Sequence, residues 1–384
     1  MDIQGEGFHT SIWQHSDLKS WARGFFAPNF IILGLISSLT PRTAAALTFE
    51  LAVSDSKSHE VSFVSSVYQW NPIAMRERTP GMFSISFPEP VLPEIQYKFL
   101  LDGKWTLDPH NPITAPDGWG GANNIYSCSH YATPIEAEPS LEFSQYSVKA
   151  LKITDYNGEL RTINLLLPVY RTSGRSNLNK SVNLVIFHDG DDYLKQAEIR
   201  RVLAYRTAKS STTEWIGIAI SSIDRMEEYG LGARSQLYSK WLTQTLIPLI
   251  EKRFIFVGPR RGLSSAKRIA VGPSLGGLFS FYQFLSEPGF FNGVIAQSAS
   301  VWFARDQIQS LALAYPTRRR VDPSILAIVD YGNFETDNLI SAIENVSPAL
   351  KAKLKNQFEI QSYPSTHSWI AWANRIPSQL EEFE

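Results

Sequence analysis

The chain has 384 residues, of which 36 are basic and 37 acidic, for a net charge of -1. At about 100–200 residues per domain this length implies two or three domains with ordinary buried cores, and the balanced charge, without a run of five or six like charges, argues against nucleic acid partners and acidic tails. A composition 43% hydrophobic and 19% charged, with 22 Phe, 15 Tyr and 10 Trp, excludes disorder, and a single cysteine, Cys128, excludes an intrachain disulfide and any multi-cysteine metal site.

Residues 1–45 hold an uncharged, partly apolar stretch, Gly24 to Pro41, between Arg23 and Arg42. Pro28, Asn29 and Pro41 spoil it as a spanning helix. FIILGLISSL followed by Thr43-Ala44-Ala45-Ala46 half fits a secretory signal, but Asp2, Glu6 and Asp17 precede it. The expectation is a packed N-terminal segment, helical or signal-like, on a cytoplasmic protein without stable membrane insertion. The alternative is a periplasmic or secreted protein in which 24–46 is a signal behind a misplaced start.

From 46 to 136 the chain reads as short strands (LTFELAV, VSFVSSV, FSISF, IQYKFLL, NNIYSC) punctuated by Pro, Gly and Asp, which predicts a β-sandwich. Ala132 to Ser140, polar and with two prolines, reads as a linker. YSVKALKIT and LRTINLLLPVY flank Asn157-Gly158, a hairpin signal. Beyond it VNLVIF, IGIAI, RIAVG and ILAIVDY are near-continuous apolar runs separated by helical stretches, the pattern of strands buried on both faces of a parallel sheet. Residues 141–384 are therefore expected to form an α/β domain.

The chemistry centres on KRIAVGPSLGGLFS, an apolar strand, then Gly272-Pro273-Ser274-Leu275-Gly276, then a helix expected to begin near Gly277. This is G-x-S-x-G between strand and helix, where a serine is exposed on a tight turn and a helix N-terminus favours developing negative charge. Ser274 is the expected nucleophile. The order Ser, acid, His leaves one histidine downstream, His367. For the acid, the strand ILAIVDYG is followed by Glu335, with Asp337 next in preference and Asp330 nearby. The oxyanion needs two backbone donors, assigned to Leu275 after the nucleophile and to Asp191 in the loop VNLVIFHDGDDYL. His188, Asp189, Asp191 and Asp192 in that loop resemble a metal cluster only superficially, since a second histidine is lacking. No metal and no cofactor are expected.

Taken together, these residues resemble the esterase D branch of α/β-hydrolases, which includes enterochelin (ferric enterobactin) esterases, feruloyl esterases and mycolyltransferases. The resemblance covers about 141–384. It rests on HDGDDYL, on Asp224-Arg225-Met226-Glu227-Glu228-Tyr229, on LIPLIE, GPSLGGL and IAQSASVWF, on Gly332-Asn333-Phe334-Glu335 and on His367-Ser368-Trp369-Ile370-Ala371-Trp372. Gln244, Pro273 and Ser365-Thr366 depart from the family pattern without removing a catalytic group. The resemblance implies substrate contacts from Arg225 and Trp369.

The N-terminal strands have a second resemblance, to the early-set, immunoglobulin-like, glycogen-binding type of carbohydrate-binding module, carried by SSVYQWNPIAM, QYKFLLDGKWTLDPHNP and GGANNIY. It implies that Trp70 and Trp105 stack on sugars while Lys98 and Asn123 bond hydroxyls; the competing expectation is a cap over the active site. The expected protein is a serine carboxyl-ester hydrolase of a small-molecule or glycan-linked ester, similar to enterochelin esterases that open ferric siderophore trilactones. The rivals are a feruloyl or acetyl esterase acting on polysaccharide and a non-catalytic glycan-binding protein. The sequence does not set the oligomeric state.

Overall fold

Apolar residues at every second position place one face of the longer N-terminal strands on a core, and near-continuous apolar runs bury both faces of the later parallel strands. The structure, a computed structural model, describes residues 46–384 apart from 55–57, 91, 117–120, 129–145, 173–179, 256–266 and 318–321. The expected N-terminal segment 1–45 and the linker 132–140 lie outside the described residues.

The first part is made of β1 (Ala46–Ala52), β2 (Val61–Ser65), β3 (Ile73–Ala74), β4 (Arg76–Thr79), β5 (Met82–Pro88), β6 (Glu94–Leu101), β7 (Lys104–Thr106), β8 (Thr114–Pro116) and β9 (Ala122–Ser127). These pair antiparallel in two sheets, β1-β5-β4 and β3-β2-β6-β9-β8, with β7 on β6. Phe49 and Leu51 of β1 and Phe83 of β5 meet Phe63 of β2 and Ile95, Tyr97 and Phe99 of β6 in one aromatic core. The five strands read from the sequence are all present. The added strands β3, β4, β7 and β8 are only two to four residues long, too short to carry a recognisable period.

The second part begins with the hairpin β10 (Tyr146–Thr154) and β11 (Leu160–Pro168). Its turn is organised by Asp155, whose Oδ1 accepts the amides of Asn157 (2.8 Å) and Glu159 (3.1 Å). β12 (Ser181–His188), β13 (Thr213–Ile220), β14 (Lys267–Pro273), β15 (Gly293–Gln297), β16 (Leu326–Gly332) and β17 (Phe358–Tyr363) complete an eight-stranded sheet in the order β10-β11-β13-β12-β14-β15-β16-β17. β12 to β17 are parallel, and the hairpin adds an antiparallel edge. β15, seen in the sequence only as part of a motif, is fully buried. One face of the sheet packs on the helices Ser274–Ser286 and Asp337–Leu354, through Leu278, Phe281, Ile343 and Val346. The other packs on Ile199–Lys209 and Trp369–Glu381, through Val202, Leu203, Ile376 and Leu380.

Residues Ala45–Glu384 form one compact unit. The loops after β12, β14, β15, β16 and β17 gather at the carboxyl ends of the parallel strands, where ligand sites of such sheets form.

Candidate active site

β14 runs into the helix Ser274–Ser286 with no intervening loop, so the helix starts at the serine rather than near Gly277. The turn is tight enough to force Ser274 into the left-handed region, φ 55, a conformation that costs a non-glycine residue roughly 1–3 kcal/mol and marks functional turns. A Cβ on Gly272 would stand 2.3 Å from the Gly276 carbonyl oxygen, so only glycine permits this turn. The result is a half-buried Ser274 hydroxyl at the N-terminus of a buried helix.

His367 lies after β17, with its side chain 37% exposed, and its Nε2 is 3.0 Å from Ser274 Oγ. Its other nitrogen, Nδ1, is 3.1 Å from Oε2 of Glu335, whose side chain is 1% exposed. Ser300 Oγ stands 3.3 Å from Ser274 Oγ on the other side. A carboxylate only accepts hydrogen bonds, so Nδ1 carries the proton and Nε2 presents its lone pair to the serine hydroxyl. Burial alone would raise the Glu335 carboxyl, but His367, Arg375 and the Ser298 hydroxyl outweigh it and hold the group below its ordinary value.

The loops that carry Glu335 and His367 are laced together. Asn333 N donates to Tyr363 O (2.8 Å) and Phe334 N to Ser365 O (3.1 Å). A Cβ on Gly332 would meet the Ser365 carbonyl oxygen at 2.2 Å, so the glycine that opens the Glu335 loop is required by the approach of the His367 loop. The His367 ring packs edge-on against Trp372 at 4.9 Å. Ser368 caps the following helix by accepting from Ala371 N at 3.3 Å, and its hydroxyl favours the charged form of the Glu94 carboxyl on β6, which burial as a whole pushes up.

Of the other carboxylates considered for the acid, Asp337 is exposed and accepts from Gln69 Nε2 at 3.3 Å. Asp330 is fully buried and paired with Arg375 at 3.2 Å. The Leu275 amide lies in the first turn of the helix Ser274–Ser286, where N–H groups lack intrahelical partners. The Asp191 amide, the other expected oxyanion donor, already donates to Ser221 Oγ at 3.0 Å. Arg225 grips Asp189 with two bonds of 2.9 and 2.8 Å and reaches the Pro273 carbonyl at 3.4 Å, tying the Asp189 loop to the nucleophile turn. Trp369 is partly buried, edge-on to Tyr193 and to Trp372.

Among the described residues no group of three or more His, Cys, Asp or Glu is arranged to hold a metal ion, and no described helix is long and apolar enough to cross a membrane. His188 is fully buried, with Nε2 on Gln283 Oε1 at 2.8 Å.

The residues assigned to sugar binding do not share one environment. Trp105 is 50% exposed with Lys98 Nζ 5.8 Å from its ring centre. Asn123 is 5% exposed and one N–H of its amide donates to Gln96 Oε1 at 3.1 Å, so the side chain is turned into the fold rather than presented beside Trp105. Trp70 is half-buried in a left-handed turn, φ 63, next to Gln69, φ 53. The sequence reading missed Ser298, Ser300, Arg375 and the contacts from Gln69, Glu94 and Phe334. Ser298 and Ser300 lie in the quoted IAQSASVWF stretch, but nothing local announces their partners.

A family described as "Putative esterase" matches residues 155–383, more than half of the chain. No curated protein matches the sequence at a significant level. Among solved structures, the enterobactin esterase of Shigella flexneri in the presence of enterobactin aligns with a TM-score of 0.63 at 17% identity, covering 88% of this chain and 92% of that one. The ferric enterobactin esterase of Salmonella typhimurium aligns with a TM-score of 0.61 at 16% identity, covering 87% and 92%. At such identity the likeness concerns the fold alone, but its coverage exceeds the α/β part and so extends into the N-terminal sheets. With the family matched over most of the sheet and every loop that carries Ser274, Glu335 and His367, the chain belongs to this esterase family and is an ester hydrolase.

Proposed function

We propose that the chain is a serine carboxyl-ester hydrolase whose catalytic triad is Ser274, His367 and Glu335. The observation that carries the reading is the unbroken chain of contacts, Ser274 Oγ to His367 Nε2 at 3.0 Å and His367 Nδ1 to Glu335 Oε2 at 3.1 Å. Both are within the reach that proton transfer needs. Ser274 Oγ attacks the ester carbonyl as His367 Nε2 takes its proton, and Glu335 stabilises the imidazolium. The tetrahedral oxyanion is held by the Leu275 and Asp191 amides; a charged oxygen displaces the neutral Ser221 hydroxyl from the Asp191 N–H because charge-assisted bonds are stronger. The imidazolium then protonates the departing alkoxide, and a water activated by the same histidine hydrolyses the acyl-serine. Arg225 and Trp369 are assigned to the substrate walls on either side.

For the substrate we favour an enterochelin-like siderophore trilactone. Support comes from the solved relatives, which are named for enterobactin and share the fold over both layers. The two-sheet unit of 46–127 is read as an early-set, immunoglobulin-like module that caps the site, since it touches the Glu335 loop through Gln69 and Phe334. A panel of enterobactin, methyl ferulate and p-nitrophenyl esters tests the reading on the full chain, with Ser274→Ala as control. The expected result is fastest turnover on the trilactone and a loss of about 10³-fold or more in the alanine variant. Preference for methyl ferulate would move the substrate to a polysaccharide-linked ester, and near-wild-type turnover by Ser274→Ala would end the hydrolase mechanism.

A further inference from the structure

Behind Glu335, away from His367, lies a buried polar cluster. Ser298, the residue after β15, is fully buried and sits in the left-handed region, φ 44. Its amide donates to Asp330 Oδ1 at 2.8 Å, which anchors the backbone. Its Oγ is in reach of Glu335 Oε1 at 2.5 Å, Trp372 Nε1 at 2.9 Å and Arg375 Nη2 at 3.1 Å.

The polarity of these bonds is forced. An indole N–H and a guanidinium N–H only donate, and a hydroxyl has two lone pairs and a single proton. With both lone pairs taken by Trp372 and Arg375, the proton of Ser298 has one place to go, Glu335 Oε1. That oxygen also accepts the Gly332 amide at 3.0 Å. We infer that Ser298 is a positioning residue: polarised by Trp372 and Arg375, it pins Glu335 Oε1 so that Oε2 alone faces His367.

The charged groups around Glu335 fit that role. His367 faces it from the histidine loop, Arg375 from the helix Trp369–Glu381, and Asp330 from β16. Asp330 balances Arg375 at 3.2 Å, with side chains 0% and 1% exposed, so neither charge is left buried and unpaired. Gln379 donates to the other oxygen of Asp330, and Gln297 Nε2 donates to Gln379 Oε1 at 2.8 Å, which closes the cluster. Arg375 thus acts on the acid across one hydroxyl. A left-handed backbone at Ser298 is the geometry that aims its side chain back at Glu335, a strain of the kind kept at functional sites.

The inference rests on reading Glu335 as the acid of the triad. The test measures kcat and KM on p-nitrophenyl acetate from pH 5 to 9 for the full chain, Ser298→Ala, Ser298→Cys, Trp372→Phe and Glu335→Gln. Each kcat is normalised to active enzyme by titration with a serine-directed phosphonate. Ser298→Ala is expected to lower normalised kcat by about 10- to 100-fold, the range for one hydrogen bond to a charged group, with KM within about twofold. Its acidic limb is expected to move to higher pH, because a carboxylate deprived of a donor concentrates its charge on the oxygen that faces His367 Nδ1 and so holds the proton there more tightly. Ser298→Cys, a weaker donor, is expected to fall between, and Trp372→Phe, which removes one polarising N–H while keeping an aromatic ring against His367, to show a shift of the same sign and smaller size. A purely structural serine would reduce the active fraction and leave the normalised rate and pH profile unchanged; that result overturns the inference. Should Ser298→Ala fail to fold, an unshifted profile in Trp372→Phe overturns it alone. Wild-type kcat in Glu335→Gln would instead defeat the triad reading, whereas a crippled Glu335→Gln beside a wild-type Ser298→Ala defeats only the role given to Ser298.

Discussion

On the sheet side Glu335 is held by directional bonds from Ser298 and Gly332, while on the sandwich side its neighbour Phe334 packs against the aromatic core of the N-terminal sheets. The sheet side fixes oxygen atoms, since a hydrogen bond weakens steeply when its angle bends. The sandwich side fixes the position of the loop, since apolar contact is proportional to area and indifferent to small rotations. The core that receives Phe334 is itself a set of close ring pairs, among them Phe49 with Tyr97 at 4.5 Å and with Phe63 at 4.6 Å. One acid loop is thereby shared by two cores, and its geometry depends on both.

The largest effect expected is on the sheet side, at the carboxylate itself. Glu335→Gln keeps the shape but loses the charge, and is expected to lower kcat by about 10³- to 10⁴-fold. Asp337→Asn, which only alters the exposed contact with Gln69, is expected to stay within about threefold. Steady-state kinetics on the two variants decides the matter, and the reverse ranking would move the acid to Asp337.

A smaller effect is expected on the sandwich side. Phe334→Ala should cost about 2 kcal/mol in urea unfolding, below the roughly 3–5 kcal/mol of a fully buried ring because Phe334 is only half-buried. It should also lower kcat several-fold through the loosened loop, and Phe334→Leu should recover most of both losses. A drop in stability with unchanged kcat would mean that the sheet side alone positions Glu335.

The most specific effect, one that leaves kcat aside, lies deeper on the sheet side, at His188. Burial pushes this imidazole down to about 4 from an ordinary value of 6.5, with partial compensation from Gln283. Between those pH values the unfolded chain binds a proton that the folded chain refuses. Its contribution is fully present above about pH 6.5 and is lost as the pH falls towards 4, a total of about 3 kcal/mol. Urea melts of wild type and His188→Gln across pH 4 to 7 check this: the difference between their unfolding free energies should change with pH in that window and be flat above it. A constant difference would mean that His188 titrates alike in the folded and unfolded chains.

The sequence by itself determined what is local. Strand and helix alternation, the hairpin at Asn157-Gly158 and the turn around Ser274 were legible because side-chain period and turn sterics act over a few residues. The glycines of the nucleophile turn and of the acid loop were visible for the same reason, although the need for Gly332 is met by Ser365, far along the chain. Strands β3, β4, β7 and β8 escaped because short strands have no period. Only the tertiary structure decided that Ser221 takes the Asp191 amide, that Asn123 is buried, and that Ser298 bridges to Glu335, Trp372 and Arg375, which lie 37, 74 and 77 residues away. Such contacts depend on which strand lies beside which and on the depth at which each helix packs. Those quantities emerge from burial summed over the whole sheet, and no window of sequence contains them.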